Sequence, residues 1–233
     1  MSRSSNRIGA AALLALSGCA APQGAGSGLG LGRNDYVLPV RSMVERRFLT
    51  VVRQRYDFSC GSAALATLLH FHYGDVQTEQ SIFLGMWRDG DREQIRKQGF
   101  SLLDMKRYLA ARGIGSDGYQ VTLQQIAATR IPGIALINMN GYLHFVVVKG
   151  VENGQVMVGD PSLGIRLISA RRFQAMWNRI LFVVNDRPEA AKASFGKDSD
   201  WALVARSRAT ALMEPVSLQA LALTRPQAFP PEL

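Results

Sequence analysis

The run from Cys60 to Tyr73 constrains the fold of this chain more than any other stretch. With its flanks it reads QRYDFSCGSAALATLLHFHYG, from Gln54 to Gly74. Alanine, leucine and other small or apolar residues cover most sides of a helix begun at Cys60, and Gly74 supplies a stop. A helix that is apolar nearly all round belongs inside a core, so the remaining elements have to be built around it. Cys60 opens this helix, where unpaired N–H groups and the helix dipole favour negative charge. A thiol in that position is favoured as thiolate, the nucleophilic form. Gln54, six positions upstream, brings a side-chain amide toward the same point. These residues raise the hypothesis of a cysteine hydrolase.

The 233 residues give room for one good core, or for one core and a tail. A hydrophobic fraction of 47% against 19% charged argues against wholesale disorder. No apolar run reaches the roughly 18–20 residues of a transmembrane helix. The N-terminus is a secretory signal by pattern: Arg3 and Arg7 are basic, residues 8–16 are apolar, and Leu16-Ser17-Gly18-Cys19 follows. That ending resembles a bacterial lipobox. It predicts a signal peptide over residues 1–18, lipidation of Cys19, and a flexible Ala/Pro/Gly/Gln/Ser tether to residue 35. Ala20 after the cysteine suits sorting to the outer membrane, so a lipid-anchored periplasmic protein is expected.

With Cys19 lipidated, Cys60 is the one thiol left, and it cannot be a structural staple. The formal charge of +9 falls to +7 once Arg3 and Arg7 are removed, and it would suit anionic headgroups or an acidic partner. Nucleic acid is a poor match, because there is no dense Lys/Arg run, no aromatic-basic alternation and no recognised binding motif.

In chain order, residues 36–52 suggest an extended arm. Beyond the Cys60 helix, residues 78–87 read as a second helix. The charged, glycine-flanked segment 88–99 reads as a solvated loop or short helix. Ser101 caps a helix closed by Gly113, and Thr122 opens another. After Pro132 the character changes. Residues 134–137, 142–148, 155–158, 166–168 and 180–184 read as strands, with Asn153-Gly154 a hairpin turn and a helix from Ser169 to Trp177. Helices first and strands after predict an α+β domain with a largely antiparallel sheet. Residues 188–233 are Pro- and Ala-rich and read as a tail, with a helical stretch from Trp201 to Met213.

A thiol hydrolase needs a base beside the thiol and a group to orient that base. The chain has three histidines. His144 opens a strongly apolar strand, and Asp160 follows sixteen positions later, at the end of the next strand across a hairpin. Neighbouring antiparallel strands bring such a pair within hydrogen-bond reach, and the carboxylate would fix the imidazole tautomer. Asp160-Pro161 also reads as a turn initiator. His70 and His72 read as helix packing, since i, i+2 spacing points the rings apart and suits no metal. Trp87 and Trp177 read as core or groove residues.

Gln54-x5-Cys60-Gly61, His144-Phe145 and Asp160-Pro161 together resemble the C39 peptidases, the bacteriocin-processing branch of the papain-like cysteine peptidases. The resemblance covers residues 50–187 and includes the Gly99-Phe100-Ser101-Leu102 and Gly113-Ile114 ends of a helix. It implies a papain-like fold with Cys60 as nucleophile, His144 as base, Asp160 as its orienting partner, and Gln54 with the Cys60 N–H as oxyanion donors. It implies no metal or cofactor. Ser59 stands where many members carry an acid. Members fused to a transporter cut leader peptides after a Gly-Gly pair, whereas similar stand-alone domains accompany secretion of surface fibres, including functional amyloid. The expected partner is an exported protein or peptide. The alternatives are a peptidase-fold module that binds without cutting, and an amidase or transferase acting on cell-wall peptide.

Overall fold

The computed structural model describes residues 41–56 and 59–205. The expected signal, Cys19, the tether, the first part of the arm and residues 206–233 lie outside the described residues. In chain order the elements are α1 (Met43–Arg47), α2 (Cys60–Tyr73), α3 (Glu79–Asp89), α4 (Arg92–Gln98), α5 (Leu102–Ala111), β1 (Ser116–Gln120), α6 (Leu123–Thr129) and β2 (Gly133–Met139). They continue with β3 (Tyr142–Glu152), β4 (Gln155–Asp160), β5 (Gly164–Ser169), α7 (Ala170–Met176), β6 (Trp177–Val184) and α8 (Pro188–Ser194). Residues 198–205 are also helical.

The strands form one six-stranded sheet, ordered β1-β6-β2-β3-β4-β5 and antiparallel at every step. Alternate residues of β3 show how it is covered, since successive side chains in a strand point to opposite faces. Phe145 and Val147 pack with α2, α3, α4 and α5 through Leu65, Leu69, Ile82, Met86, Ile95 and Met105. Val146 and Val148 face the other way, toward Leu123 and Ile126 of α6 and Phe173 of α7. Helix α2 is central as its composition requires: Ala63, Ala64, Leu65, Ala66 and Leu68 are wholly inaccessible. Gly74 ends it in the left-handed region, at φ 68°.

The helix starts follow from local chemistry. Thr78, Ser101 and Thr122 each form a capping box with the residue three positions on. A fourth box, Ser42 with Glu45, makes residues 43–47 a short helix where an extended arm was expected. The charged segment after α3 contains α4, which inserts Ile95 into the core at 1% exposure and leaves its other side chains to solvent. Strand β1, Ser-Asp-Gly-Tyr-Gln, has no apolar alternation; its pairing with β6 at the sheet edge makes it a strand.

Two hairpins close on type I′-like Asn-Gly pairs with both residues at positive φ, Asn140-Gly141 (56° and 92°) and Asn153-Gly154 (48° and 69°). Within the second hairpin the register shifts. Glu152 pairs Gln155 and Gly150 pairs Met157, but Val148 then pairs Val158, so Lys149 is an extra residue in β3.

Residues 188–205, expected as the start of the tail, lie against the domain. Asp200 is buried and pairs with Lys149 Nζ at 3.1 Å, and the Gly196 N–H donates to the Lys149 carbonyl at 2.7 Å. The Ser194 hydroxyl meets His72 Nδ1 at 2.7 Å, which settles His72 as a packing residue of α2.

Candidate active site

Cys60 is the first residue of α2 and is 8% exposed. Its N–H has no partner within the helix by virtue of position. The preceding Ser59 occupies the N-cap but makes no capping hydrogen bond, so the first-turn N–H groups are left without a side-chain acceptor from it. The hydroxyl turns instead toward the Tyr56 carbonyl, at 2.8 Å, and toward the carboxylate of Glu79.

His144 lies on β3 at 1% exposure, and its Nε2 is 2.8 Å from Oδ1 of the fully buried Asp160. The shift at Lys149 makes this contact possible. Continued beyond Val147↔Gly159, the register sets Asp160 opposite Val146, on the face that carries His144 two residues away. The same Oδ1 accepts the backbone N–H groups of Ser162 at 2.9 Å and Leu163 at 3.2 Å, so Asp160 shapes the turn into β5 as well as meeting the imidazole. Its Oδ2 accepts from Arg166 through Nε at 3.0 Å and Nη2 at 2.9 Å. Arg166 reaches it from β5, where it stands opposite Val158. The Tyr142 ring stacks beside the imidazole, with centroids 5.9 Å apart.

The second imidazole nitrogen, Nδ1, is buried and makes no hydrogen bond of good geometry. The Cys60 thiol is the remaining group that acts on the ring. Burial disfavours the imidazolium, but hydrogen bonding and charge from Asp160 and from Cys60 outweigh it and raise the His144 pKa to about 9. Burial likewise works against the Asp160 carboxylate, and the hydrogen bond and charge of His144, helped by Arg166, hold its pKa below the ordinary value. The arrangement is a buried carboxylate–imidazolium pair with a thiol on its far side. It can hold a thiolate, deliver a proton to a leaving group and keep the imidazole in one orientation. Long or imperfect thiol–imidazole contacts are usual in sites without substrate.

Gln54 is tied to this constellation by its backbone, whose N–H donates to the carbonyl of Pro161, next to Asp160, at 3.0 Å. Its side-chain amide donates to the Tyr56 carbonyl at 3.3 Å, and among the described residues the second N–H of that group is left over. Gln54 also lines a cleft of about 780 Å³ between residues 52–55 and 76–80. Among the described residues no group of three or more His, Cys, Asp or Glu could hold a metal ion.

The structure therefore gathers Cys60, His144 and Asp160, and places Gln54 beside them through the Asp160-Pro161 turn. Sequence reasoning did not identify Arg166 or Glu79. The signal for Arg166 was its position one tight turn beyond Asp160, which puts it on the neighbouring strand with the same facing. Glu79 carried no signal beyond a carboxylate at a helix start.

The family model described as Peptidase C39 family matches residues 49–189. Over 145 residues the chain is 45% identical to a Pseudomonas aeruginosa protein described as probable functional amyloid protease FapD, covering 62% of this chain and 64% of that one. A Pseudomonas fluorescens protein of the same description is 43% identical over the same shares. The chain thus spans 64% of the length of these relatives. Among solved structures, the peptidase domain of Streptococcus ComA, a bi-functional ABC transporter involved in a quorum-sensing pathway, matches with a TM-score of 0.50. The identity is 22%, over 58% of this chain and 96% of that domain, and it establishes the shared fold.

Proposed function

The chain belongs to the peptidase C39 family, and we propose that this cysteine-type peptidase uses Cys60 as its nucleophile on an exported, fibre-forming protein. The observation that carries the reading is the buried contact of His144 Nε2 with Asp160 Oδ1 at 2.8 Å, with the other nitrogen left for the thiol. Thiolate Cys60 attacks the scissile carbonyl, and the oxyanion is met by the Cys60 N–H and the Gln54 amide. His144 then gives its proton to the leaving amine as the C–N bond breaks. Water, deprotonated by His144, hydrolyses the resulting thioester and frees Cys60.

The substrate class follows the descriptions of the two Pseudomonas relatives as probable functional amyloid proteases. The lipobox-like ending at Cys19 supports action at the periplasmic face of the outer membrane. Incubating the protein with a fibre-forming subunit exported by the same cell tests the reading. Discrete fragments are expected, absent with Cys60→Ala, and an intact subunit would favour a non-cleaving binding module. Partition into detergent with wild-type Cys19 and into buffer with Cys19→Ala would test the anchor.

A further inference from the structure

Glu79 takes no part in the chemistry above, yet it sits against the loop that delivers Cys60. It is 4% exposed at the first position of α3, where the unpaired N–H groups of a helix start favour a carboxylate. Its Oε1 accepts the Arg55 backbone N–H at 2.9 Å and the Ser59 hydroxyl. Ser59, itself fully buried, also accepts the Tyr56 N–H at 3.2 Å. The Tyr56 carbonyl in turn holds the Gln54 side-chain amide at 3.3 Å.

Every group in this network lies on the segment from Gln54 to Ser59, or, as Glu79, reaches it from another helix. Arg55 follows Gln54 and Ser59 precedes Cys60. One carboxylate oxygen therefore holds both ends of the loop whose termini supply the two proposed oxyanion donors. Charge-assisted hydrogen bonds of this kind are about twice as strong as neutral ones, and burial removes competing water.

We infer that Glu79 is a positioning residue for acyl transfer, acting through Ser59 and Arg55 to fix the spacing between the Gln54 amide and the Cys60 N–H. The inference rests on the thiol-peptidase reading above. It predicts that loss of Glu79 harms reactions that build negative charge on a carbonyl oxygen and spares those that only need the thiolate.

Two probes of Cys60 separate these cases. With 4-nitrophenyl acetate the thiolate adds to the carbonyl, an oxyanion forms, and the C–O bond breaks to give a thioester and nitrophenolate. With methyl methanethiosulfonate the thiolate forms a disulfide and expels methanesulfinate, with no carbonyl involved. Both are followed on the purified protein, with modification at Cys60 resolved by peptide mass spectrometry. Glu79→Ala is expected to slow the Cys60-dependent nitrophenolate burst by about 30-fold, less than the roughly 10²–10³ for outright removal of an oxyanion donor because the donors are displaced and not lost, while changing disulfide formation less than about twofold. Ser59→Ala should slow the burst by about tenfold. Combined with Glu79→Ala it should add nothing, since residues acting through one contact are not additive. Glu79→Gln, which keeps an acceptor oxygen without the charge, should slow the burst about fivefold, and it carries the comparison if the alanine variant does not fold. A burst at the wild-type rate in these variants would overturn the inference alone. So would equal slowing of both reactions with a lowered melting temperature, the mark of an ordinary brace. A wild-type protein with no Cys60-dependent burst would fail the peptidase reading and take the inference with it.

Discussion

Replacing Asp160 by asparagine keeps the size of the side chain and removes its charge, which tests what makes His144 basic. The imidazole is 1% exposed, a position that by itself would hold it neutral. Its pKa is nevertheless raised from 6.5 to about 9, the net of burial opposing Asp160 and Cys60. At 1.36 kcal/mol per unit this difference amounts to about 3 kcal/mol in favour of the imidazolium in the fold. Because the folded value lies above the unfolded one, that stabilisation is fully present below pH 6.5 and is lost as pH rises through about 9. In Asp160→Asn the main opposing group is gone, and the imidazole should titrate below 7. The assay is an NMR titration of the ring carbons. The chain has three histidines, so His144→Gln assigns the resonance directly. Wild type should show a midpoint near 9, Cys60→Ala a smaller downward move, and Asp160→Asn the largest. Turnover in Asp160→Asn should fall by about 10³–10⁴, as when a triad carboxylate is neutralised. A midpoint near 9 retained in Asp160→Asn would refute the assignment of the pair.

Three further outcomes are expected. Lys149→Met leaves the Asp200 carboxylate buried without its partner, and urea unfolding should show a loss of about 3–5 kcal/mol, most of it recovered when Asp200→Leu is added. Gly164→Ala should lower stability by about 2 kcal/mol or more in the same assay, because Gly164 sits at φ 78° and an added Cβ would lie 2.5 Å from the Arg47 Cβ. Gln54→Ala should slow acylation by about 10²–10³, measured with 4-nitrophenyl acetate, while the His144 titration midpoint stays where it is.

Much of this architecture can be read from the chain because local chemistry and tertiary role agree. The helix from Cys60 is apolar on most sides and occupies the middle of the fold. Thr78, Ser101 and Thr122 cap where their sequence says a helix begins. His144 and Asp160 were legible as a pair because a tight Asn153-Gly154 hairpin restricts how far apart they can lie. What escaped was set by partners distant in sequence. Residues 116–120 have no strand character of their own and acquire it from β6. Residues 43–47 lie in an arm that reads as extended from its flanking valines, and they are coiled by the Ser42–Glu45 capping box. Glu79 reads as a surface helix start until Arg55, twenty-four residues earlier, is seen to donate to it.

The extra residue in β3 connects these levels. Carried straight through from Glu152↔Gln155, the hairpin register would set Asp160 opposite Val147, out of step with the alternate positions His144 and Val146. A one-residue offset moves a whole strand's side chains between faces, so an uninterrupted hairpin would separate imidazole from carboxylate. Lys149 supplies the offset. An ammonium at 1% exposure in an apolar strand is stable only where its charge is met, and it is met by the Thr50 carbonyl at 3.0 Å and the Asp200 carboxylate at 3.1 Å. The Gly196 N–H holds its carbonyl, and Gly150 beside it leaves room for Gly196 and Trp201 to close over the irregular turn of the strand. Gly196 and Asp200 lie beyond residue 189, where the family match ends. The lysine that looks misplaced in a strand of valines is thus the residue that lets His144 and Asp160 meet. The segment after the matched domain is part of what holds it there.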